Sequence, residues 1–201
     1  MEELEQVARE IDGCVACALA RTRHKTVPGY GSPNADIMFI GEAPGYHEDR
    51  QGKPFVGPAG QFLDELLASI GLKRQDVFIG NVVKCRPPNN RDPQPDEISA
   101  CDHFLRRQID AIRPKIIVTL GRYSMAKFFP GETISRIHGR PRKQGGVIYF
   151  PLYHPAAALH QPALRKTIEE DFKKLPELIA SLEESMPEEP PTEAAKQLPL
   201  F

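Results

Sequence analysis

Asp36-Ile-Met-Phe-Ile-Gly41 decides the fold, because four apolar residues between an acid and a glycine predict a short buried strand. The other predicted strands are 77–83, 115–121 and 147–153. The predicted helices are 2–11, 61–70, 96–112, 122–129 and 161–184. Strands that alternate with helices form a parallel sheet with helices on both faces. We therefore predict an α/β fold, a three-layer α/β/α sandwich around a mainly parallel four-stranded sheet.

The chain is long enough for one domain followed by a tail. With 201 residues it can bury a sizeable core. From about residue 185 the sequence becomes acidic and rich in proline, a composition typical of disordered linkers. We expect one domain over 1–184 and a disordered tail over 185–201.

Composition and charge indicate a globular protein of the cytoplasm. The formal net charge is −1, and 40% of the residues are hydrophobic. There is no run of eighteen apolar residues, and acidic residues are frequent near the start of the chain. We therefore expect no signal peptide, no membrane partner and, in that compartment, no disulfides.

Four cysteines predict one metal centre. Cys14 and Cys17 form a C-x2-C pair, and Cys85 and Cys101 lie far downstream. One pair at ligand spacing, with no thiol left over, suggests a four-thiolate site that ties the N-terminus to the middle of the fold. The spacing fits zinc and an iron–sulfur cluster equally well.

Polar residues follow the predicted strands at their carboxyl ends, where parallel sheets bind ligands. Gly41-Glu-Ala-Pro-Gly45 is a tight turn that would direct Glu42 into a cleft, although it also fits an ordinary turn with a solvated glutamate. Asn81 stands in an apolar strand and His154 ends another, so each is either a structural residue or a ligand contact. Phe55, between glycines and prolines, is either a core residue or a stacking platform for a base.

Together these segments resemble the family 4 uracil-DNA glycosylases, the iron–sulfur branch of the uracil-DNA glycosylase superfamily. The resemblance covers about residues 10–180, with the four cysteines in register. Its motifs are GEAPG (41–45), GKPFVGPAG (52–60), NVVKCRPPNNRDP (81–93) and HPAAALH (154–160).

The resemblance implies a DNA repair enzyme with a bound cofactor. The four cysteines are expected to hold a [4Fe–4S] cluster, with structural zinc as the alternative. The implied reaction of base excision repair is hydrolysis of the N-glycosidic bond of uracil, which leaves an abasic site. Because a stacked base is out of reach, the nucleotide must be flipped into a pocket.

The resemblance also assigns roles within that pocket. Phe55 is expected to stack on uracil, Asn81 to read its N3/O4 edge, and His154 to stabilise negative charge near its O2 atom. Backbone groups of Gly41, Glu42 and Ala43 are expected to contact the base. The best-known branch of the superfamily has an aspartate where this chain has Ala43, so that mechanism cannot be transferred and Glu42 is the candidate for positioning water.

The resemblance predicts the residues for base specificity and for DNA contacts less directly than those of the uracil pocket. The tyrosine that excludes the methyl group of thymine in the best-known branch is Gly45 here, so Tyr46 or Glu48 must exclude it, with Glu48 preferred. Leu159 is the candidate for the side chain that fills the space left in the base stack when the nucleotide is flipped out. The expected phosphate contacts are Arg136, Arg140, Arg142 and Lys143, on a predicted loop, and Arg165. A related branch of the superfamily traps uracil-DNA covalently through a histidine in the loop after the second strand. Residues 86–95 of this chain contain no histidine, so turnover rather than covalent trapping is expected.

The expected partners are uracil-containing single- or double-stranded DNA and a sliding clamp. We expect a monomer associated with the nucleoid. The end of the chain, Gln197, Leu198, Leu200 and Phe201, resembles the peptide that docks onto the bacterial replicative sliding clamp, or else it folds back onto its own domain. Two other functions remain open, a non-catalytic DNA-binding module with a metal centre and a glycosylase of wider base specificity.

Overall fold

The computed structural model describes residues 2–184, and the predicted tail with its clamp peptide lies outside them. Six strands form one sheet in the order β1-β3-β2-β4-β6-β5. Their bounds are β1 Tyr30–Gly31, β2 Ile37–Gly41, β3 Phe78–Asn81, β4 Ile116–Leu120, β5 Arg142–Gln144 and β6 Val147–Leu152. The four central strands β3, β2, β4 and β6 run parallel, and β1 and β5 pair antiparallel at the edges.

The predicted α/β fold with a mainly parallel sheet is confirmed, but the strand count of four was too low. The four predicted strands are the parallel ones. The two edge strands were missed because they contain two and three residues and bury no apolar run. All three residues of β5, Arg-Lys-Gln, are exposed, so its pattern does not differ from that of a loop.

Nine α-helices connect and cover the strands of the described chain. They are α1 Glu2–Gly13, α2 Tyr46–Gln51, α3 Pro58–Ser69, α4 Pro95–Ile112, α5 Arg122–Phe128, α6 Ile134–Ile137, α7 Pro155–His160, α8 Ala163–Phe172 and α9 Leu175–Glu184. Short 3-10 turns lie at Ala18–Arg21 and Pro88–Asn90. No helix within residues 2–184 has the length and apolar character to cross a membrane.

The structure differs from the sequence predictions for one helix, one unpredicted helix and one predicted loop. The segment 161–184 forms two helices, with Pro162 and Pro176 at the two starts, where proline is tolerated, and α7 precedes them. The helix α2 was missed because it has only six residues. The basic stretch 136–143, predicted as a loop, contains the end of α6 and the start of β5.

The core lies on both faces of the sheet, as expected for a three-layer fold. Along β2, Phe39 joins one cluster and Met38 and Ile40 join the other, because successive side chains point to opposite faces. Phe39 stacks on Phe172 of α8 with 5.7 Å between the ring centroids. The opposite face is covered by α1 and α4.

Candidate active site at the carboxyl edge of the sheet

An open groove of about 960 Å³ lies at the carboxyl ends of the parallel strands. Glu42 follows β2, Asn81 ends β3, and His154 lies just beyond β6. All three line the groove together with Phe55 from the loop between α2 and α3. The structure therefore brings to one place four side chains that the sequence places in four separate segments.

The floor of the groove is formed where β2 and β3 end side by side. Gly41 is the register partner of Asn81, and the Gly41 carbonyl accepts a hydrogen bond from the amide of Val82 at 3.0 Å. A Cβ atom on Gly41 would lie 2.4 Å from Oδ1 of Asn81 and 2.7 Å from Cζ of Phe55. Position 41 therefore has no room for a side chain, and the side chains of Asn81 and Phe55 both lie against the backbone of Gly41.

Asn81 carries an acceptor atom that has no partner. Two buried side-chain polar atoms within residues 2–184 make no hydrogen bond, Oγ1 of Thr119 and Oδ1 of Asn81. Of these two residues only Asn81 lines the groove, and it is 2% exposed. Leaving a buried acceptor unpaired costs about 1–3 kcal/mol. A ligand with an N–H donor at this point would relieve that cost.

Phe55 is held in a strained conformation by Arg74. Its φ of 53° lies in the left-handed region, which non-glycine residues rarely adopt. The guanidinium of Arg74 donates to the Phe55 carbonyl and, at 2.9 Å, to the Pro54 carbonyl. The Phe55 ring stacks on His154 with a centroid distance of 5.4 Å and an interplanar angle of 24°. The left-handed backbone at Phe55 therefore carries a ring that stacks on His154 and lines the groove.

His154 is a neutral hydrogen-bond donor. It is the N-cap of α7, and its Nδ1 accepts the amide N–H of Ala156 at 3.1 Å. This bond requires a lone pair on Nδ1, so the proton of the neutral ring lies on Nε2. Burial lowers the pKa of His154 to about 4, with Glu48 opposing the shift. The ring therefore stays neutral at physiological pH and offers one N–H.

Glu42 is a carboxyl group with a raised pKa. Burial raises the pKa to about 7, the negative charge of Asp92 adds to this, and Arg122 acts against it. Asp92 and Arg122 form an ion pair with each other. A carboxyl group that titrates near neutrality in a groove is suited to general acid–base chemistry.

Glu48 ties together the two loops that frame the groove. One carboxylate oxygen accepts the amide N–H groups of Val56 and Gly57, both at 2.8 Å. The other accepts the Gly45 amide at 3.1 Å. Tyr46 is 48% exposed, and the guanidinium groups of Arg50 and Arg86 lie 5.5 and 5.2 Å from its ring centroid. Glu48 and Tyr46 both line the groove, and thymine exclusion by either remains a prediction.

Of the residues predicted to fill the base stack or to contact phosphates, only the first lies at the groove. Leu159 lies at the groove and is 49% exposed. Arg165 pairs with Glu65 at 2.6 Å and Glu169 at 2.9 Å, so two acids already neutralise it. The basic residues of the 136–143 stretch are exposed but are absent from the groove lining, namely Arg136, Arg140, Arg142 and Lys143.

Two arginines that do line the groove were missed by sequence analysis. Arg91 forms a bidentate pair with the buried Glu97, with N–O distances of 2.7 and 2.9 Å. Arg122 begins α5 directly after Gly121, the residue that follows β4. The sequence does contain a signal for both residues, because Arg91 lies within the motif at 81–93 and Arg122 follows the end of a predicted strand.

The four cysteines line one small, largely apolar cavity between α1, α4 and the segment after β3. The amide N–H of Lys84 donates to Sγ of Cys101 and the Arg23 guanidinium donates to Sγ of Cys85, both at 3.3 Å. Burial raises the pKa values of these two thiols, that of Cys101 to about 11. In the described chain, no three His, Cys, Asp or Glu side chains converge as the ligands of a metal ion.

The chain is similar in sequence to a known protein family and to several of its members. The family model described as the uracil DNA glycosylase superfamily matches residues 28–176, which include every residue of the groove floor. The type-4 uracil-DNA glycosylase of Sulfurisphaera tokodaii is 54% identical over 188 residues, covering 89% of this chain and 86% of that protein. The type-4 enzyme of Archaeoglobus fulgidus is 50% identical (89% and 94% covered), and that of Thermotoga maritima 43% (89% and 95%).

Proposed function

This chain belongs to the type-4 uracil-DNA glycosylases of the uracil-DNA glycosylase superfamily, and we propose that it excises uracil from DNA by hydrolysing the N-glycosidic bond. The observation that carries the proposal is the unpartnered Oδ1 of Asn81, buried beside the stacked rings of Phe55 and His154. Uracil has an N–H at N3 that can donate to this oxygen, whereas cytosine has a lone pair there. The groove is therefore complementary to uracil and not to cytosine.

The reaction requires stabilisation of a leaving anion. Cleavage of the glycosidic bond places negative charge on the uracil ring and leaves oxocarbenium character on the sugar. The Nε2–H of His154 would donate to the O2 atom of the flipped base, where this charge develops. A neutral donor suits this task, since its tautomer is already fixed by Ala156 and no proton has to move first.

We assign the positioning of the attacking water to Glu42, and this predicts a pH dependence. The carboxylate form can accept a hydrogen bond from water, and its pKa is raised to about 7. The excision rate should therefore rise as the pH passes through about 7 and level off above it. In Glu42→Gln the rate should be low and independent of pH. A wild-type profile that is flat between about pH 5.5 and 8.5 would remove Glu42 from this role.

For DNA we propose contacts from side chains that line the groove. Arg91 and Arg122 line the groove, each paired with a single acidic residue, Glu97 or Asp92, and we propose that they contact phosphates of the flipped strand. Leu159, half exposed in the same lining, remains our candidate for filling the space left in the base stack. Glu48 would exclude the thymine methyl group as a rigid wall, since three backbone amides hold its carboxylate in place.

We propose that Cys14, Cys17, Cys85 and Cys101 hold a [4Fe–4S] cluster, with structural zinc as the alternative. The donor set fits, because four thiols line one cavity and N–H groups already point at two of the sulfurs. When bound, the cluster would cross-link the N-terminal segment to the strand end at Asn81. Purified protein should be brown and contain about four iron atoms per chain. A colourless protein with one zinc per chain would establish the alternative.

We also propose that residues 185–201 form a separate tail that docks the enzyme onto a sliding clamp through Gln197, Leu198, Leu200 and Phe201. A tethered peptide would raise the enzyme's local concentration at replicated DNA. Clamp should be retained by the full chain in a pull-down and lost when the last five residues are deleted. Equal retention by both forms would overturn the proposal.

The proposed function is tested by strand breakage after base release. An oligonucleotide with one uracil should acquire an alkali-sensitive break at that position, because an abasic site is labile to alkali. The same oligonucleotide with thymine or cytosine there should remain intact. Binding without breakage would instead support a DNA-binding module, and breakage at other bases would support a glycosylase of wider specificity.

A further inference from the structure

Lys84 is a buried lysine whose ammonium group bonds to the backbone of the pocket. Its side chain is fully buried, which is unusual for lysine. The Nζ atom donates to the main-chain carbonyl of Asn81 at 2.8 Å and to Oε1 of Gln108 in α4 at 2.6 Å. The first of these contacts reaches back three residues and closes the turn that follows β3.

The main chain of Lys84 is fixed from two further directions. Its amide N–H donates to Sγ of Cys101, and its carbonyl accepts the amide of Val27 at 2.8 Å. Gln108 in turn donates to the Pro28 carbonyl at 2.7 Å. Lys84 therefore connects the end of β3, the cavity lined by the four cysteines and the segment at 27–28.

We propose that Lys84 is a positioning residue that orients the side chain of Asn81 from behind the pocket. The Asn81 carbonyl belongs to the peptide unit next to its Cα atom, so holding this oxygen limits rotation of the backbone that carries the amide side chain. Oδ1 of Asn81 has no hydrogen-bond partner, so no bond to this oxygen holds it in place. The inference rests on the proposed reading of uracil by Asn81.

The test replaces the ammonium group by an apolar group of similar length. Lys84→Met should lower the single-turnover rate on uracil-containing DNA about ten- to a hundredfold, because a misplaced contact group costs on this order. Affinity for uracil-free DNA should not change, since Lys84 is buried. The visible absorption of the cofactor per protein should stay the same, which separates the effect from loss of the cluster. If Lys84→Met does not fold, Lys84→Gln is measured instead; it keeps an N–H donor for the Asn81 carbonyl, so its rate should stay within about tenfold of wild type, and a loss of about a hundredfold would overturn the proposal.

Gln108→Leu is the matched control. It removes another hydrogen bond of the same ammonium group and the bond to Pro28, but it leaves the contact between Lys84 and Asn81 in place. The variant should unfold at lower denaturant concentration, yet its excision rate should stay within about threefold of wild type. A fall in rate as large as that of Lys84→Met would mean that general loosening explains both, and would overturn the proposal.

A double-mutant cycle tests whether Lys84 acts through Asn81. In an Asn81→Ala background no amide remains to be oriented, so adding Lys84→Met should change the rate by less than about twofold. A full additional loss would show that Lys84 acts by its charge or through stability, and the proposal would fail. The proposed function is judged separately, by excision in the wild type and its loss in Asn81→Ala.

Discussion

His154→Ala should lower the single-turnover rate of uracil excision about a hundredfold or more, because a preorganised donor to a developing anion is lost. The donor is preorganised because Ala156 fixes the tautomer and Phe55 stacks on the ring. Affinity for uracil-containing DNA should change much less, since the charge that His154 would stabilise develops only in the transition state. Quenched-flow measurement at saturating enzyme separates the two quantities.

The control for this prediction lies on the same helix. His160 ends α7 and lines the outer part of the same groove, but it is exposed. His160→Ala should leave the rate within about threefold, as expected for a surface position away from the reacting atoms. If His154→Ala keeps more than about a third of the wild-type rate, His154 is structural and leaving-group stabilisation must come from elsewhere.

Asn81→Ala should produce opposite effects on activity and on stability. The excision rate should fall about a hundredfold, since hydrogen bonds to the base edge are lost from a water-poor pocket. The free energy of unfolding should stay the same or rise, because the substitution removes a buried acceptor that has no partner in the free protein. Such a divergence is typical of residues that are retained for function at a cost in stability.

Asn90→Ala gives the matched comparison for Asn81. Asn90 lines the same groove, but its Oδ1 accepts a hydrogen bond from Arg86 at 2.7 Å and its φ is 53°. Alanine at a left-handed position is strained, so this variant should lose about 1 kcal/mol of stability. Its excision rate should stay within about fivefold of wild type. A stability loss in Asn81→Ala as large as in Asn90→Ala would contradict our account of the unpaired oxygen.

Sequence analysis identified the groove residues because they stand at strand ends. Glu42, Asn81 and His154 are polar residues that follow apolar runs, and parallel strands bring such positions to one edge. The parallel strands themselves were predictable because each is an apolar run. The edge strands were not, since they have only two or three residues and depend on pairing rather than on a buried face.

The residues that hold the groove in shape could not be predicted in the same way. Arg74 supports Phe55, and Lys84 supports Asn81, through main-chain carbonyls, which carry no sequence signal. Glu48 likewise uses its carboxylate on backbone amides of two loops rather than on another charged side chain. Contacts of this kind depend on where the backbone runs, and only the folded chain shows that.

The most direct test compares two oligonucleotides that differ only in uracil or cytosine at one position, each treated with wild type and with Asn81→Ala. Our account predicts alkali-sensitive breaks at uracil alone with the wild-type enzyme, and a rate about a hundredfold lower with the variant. Equal breakage at uracil and cytosine, or an unchanged rate in Asn81→Ala, would contradict the claim that the amide of Asn81 reads the base.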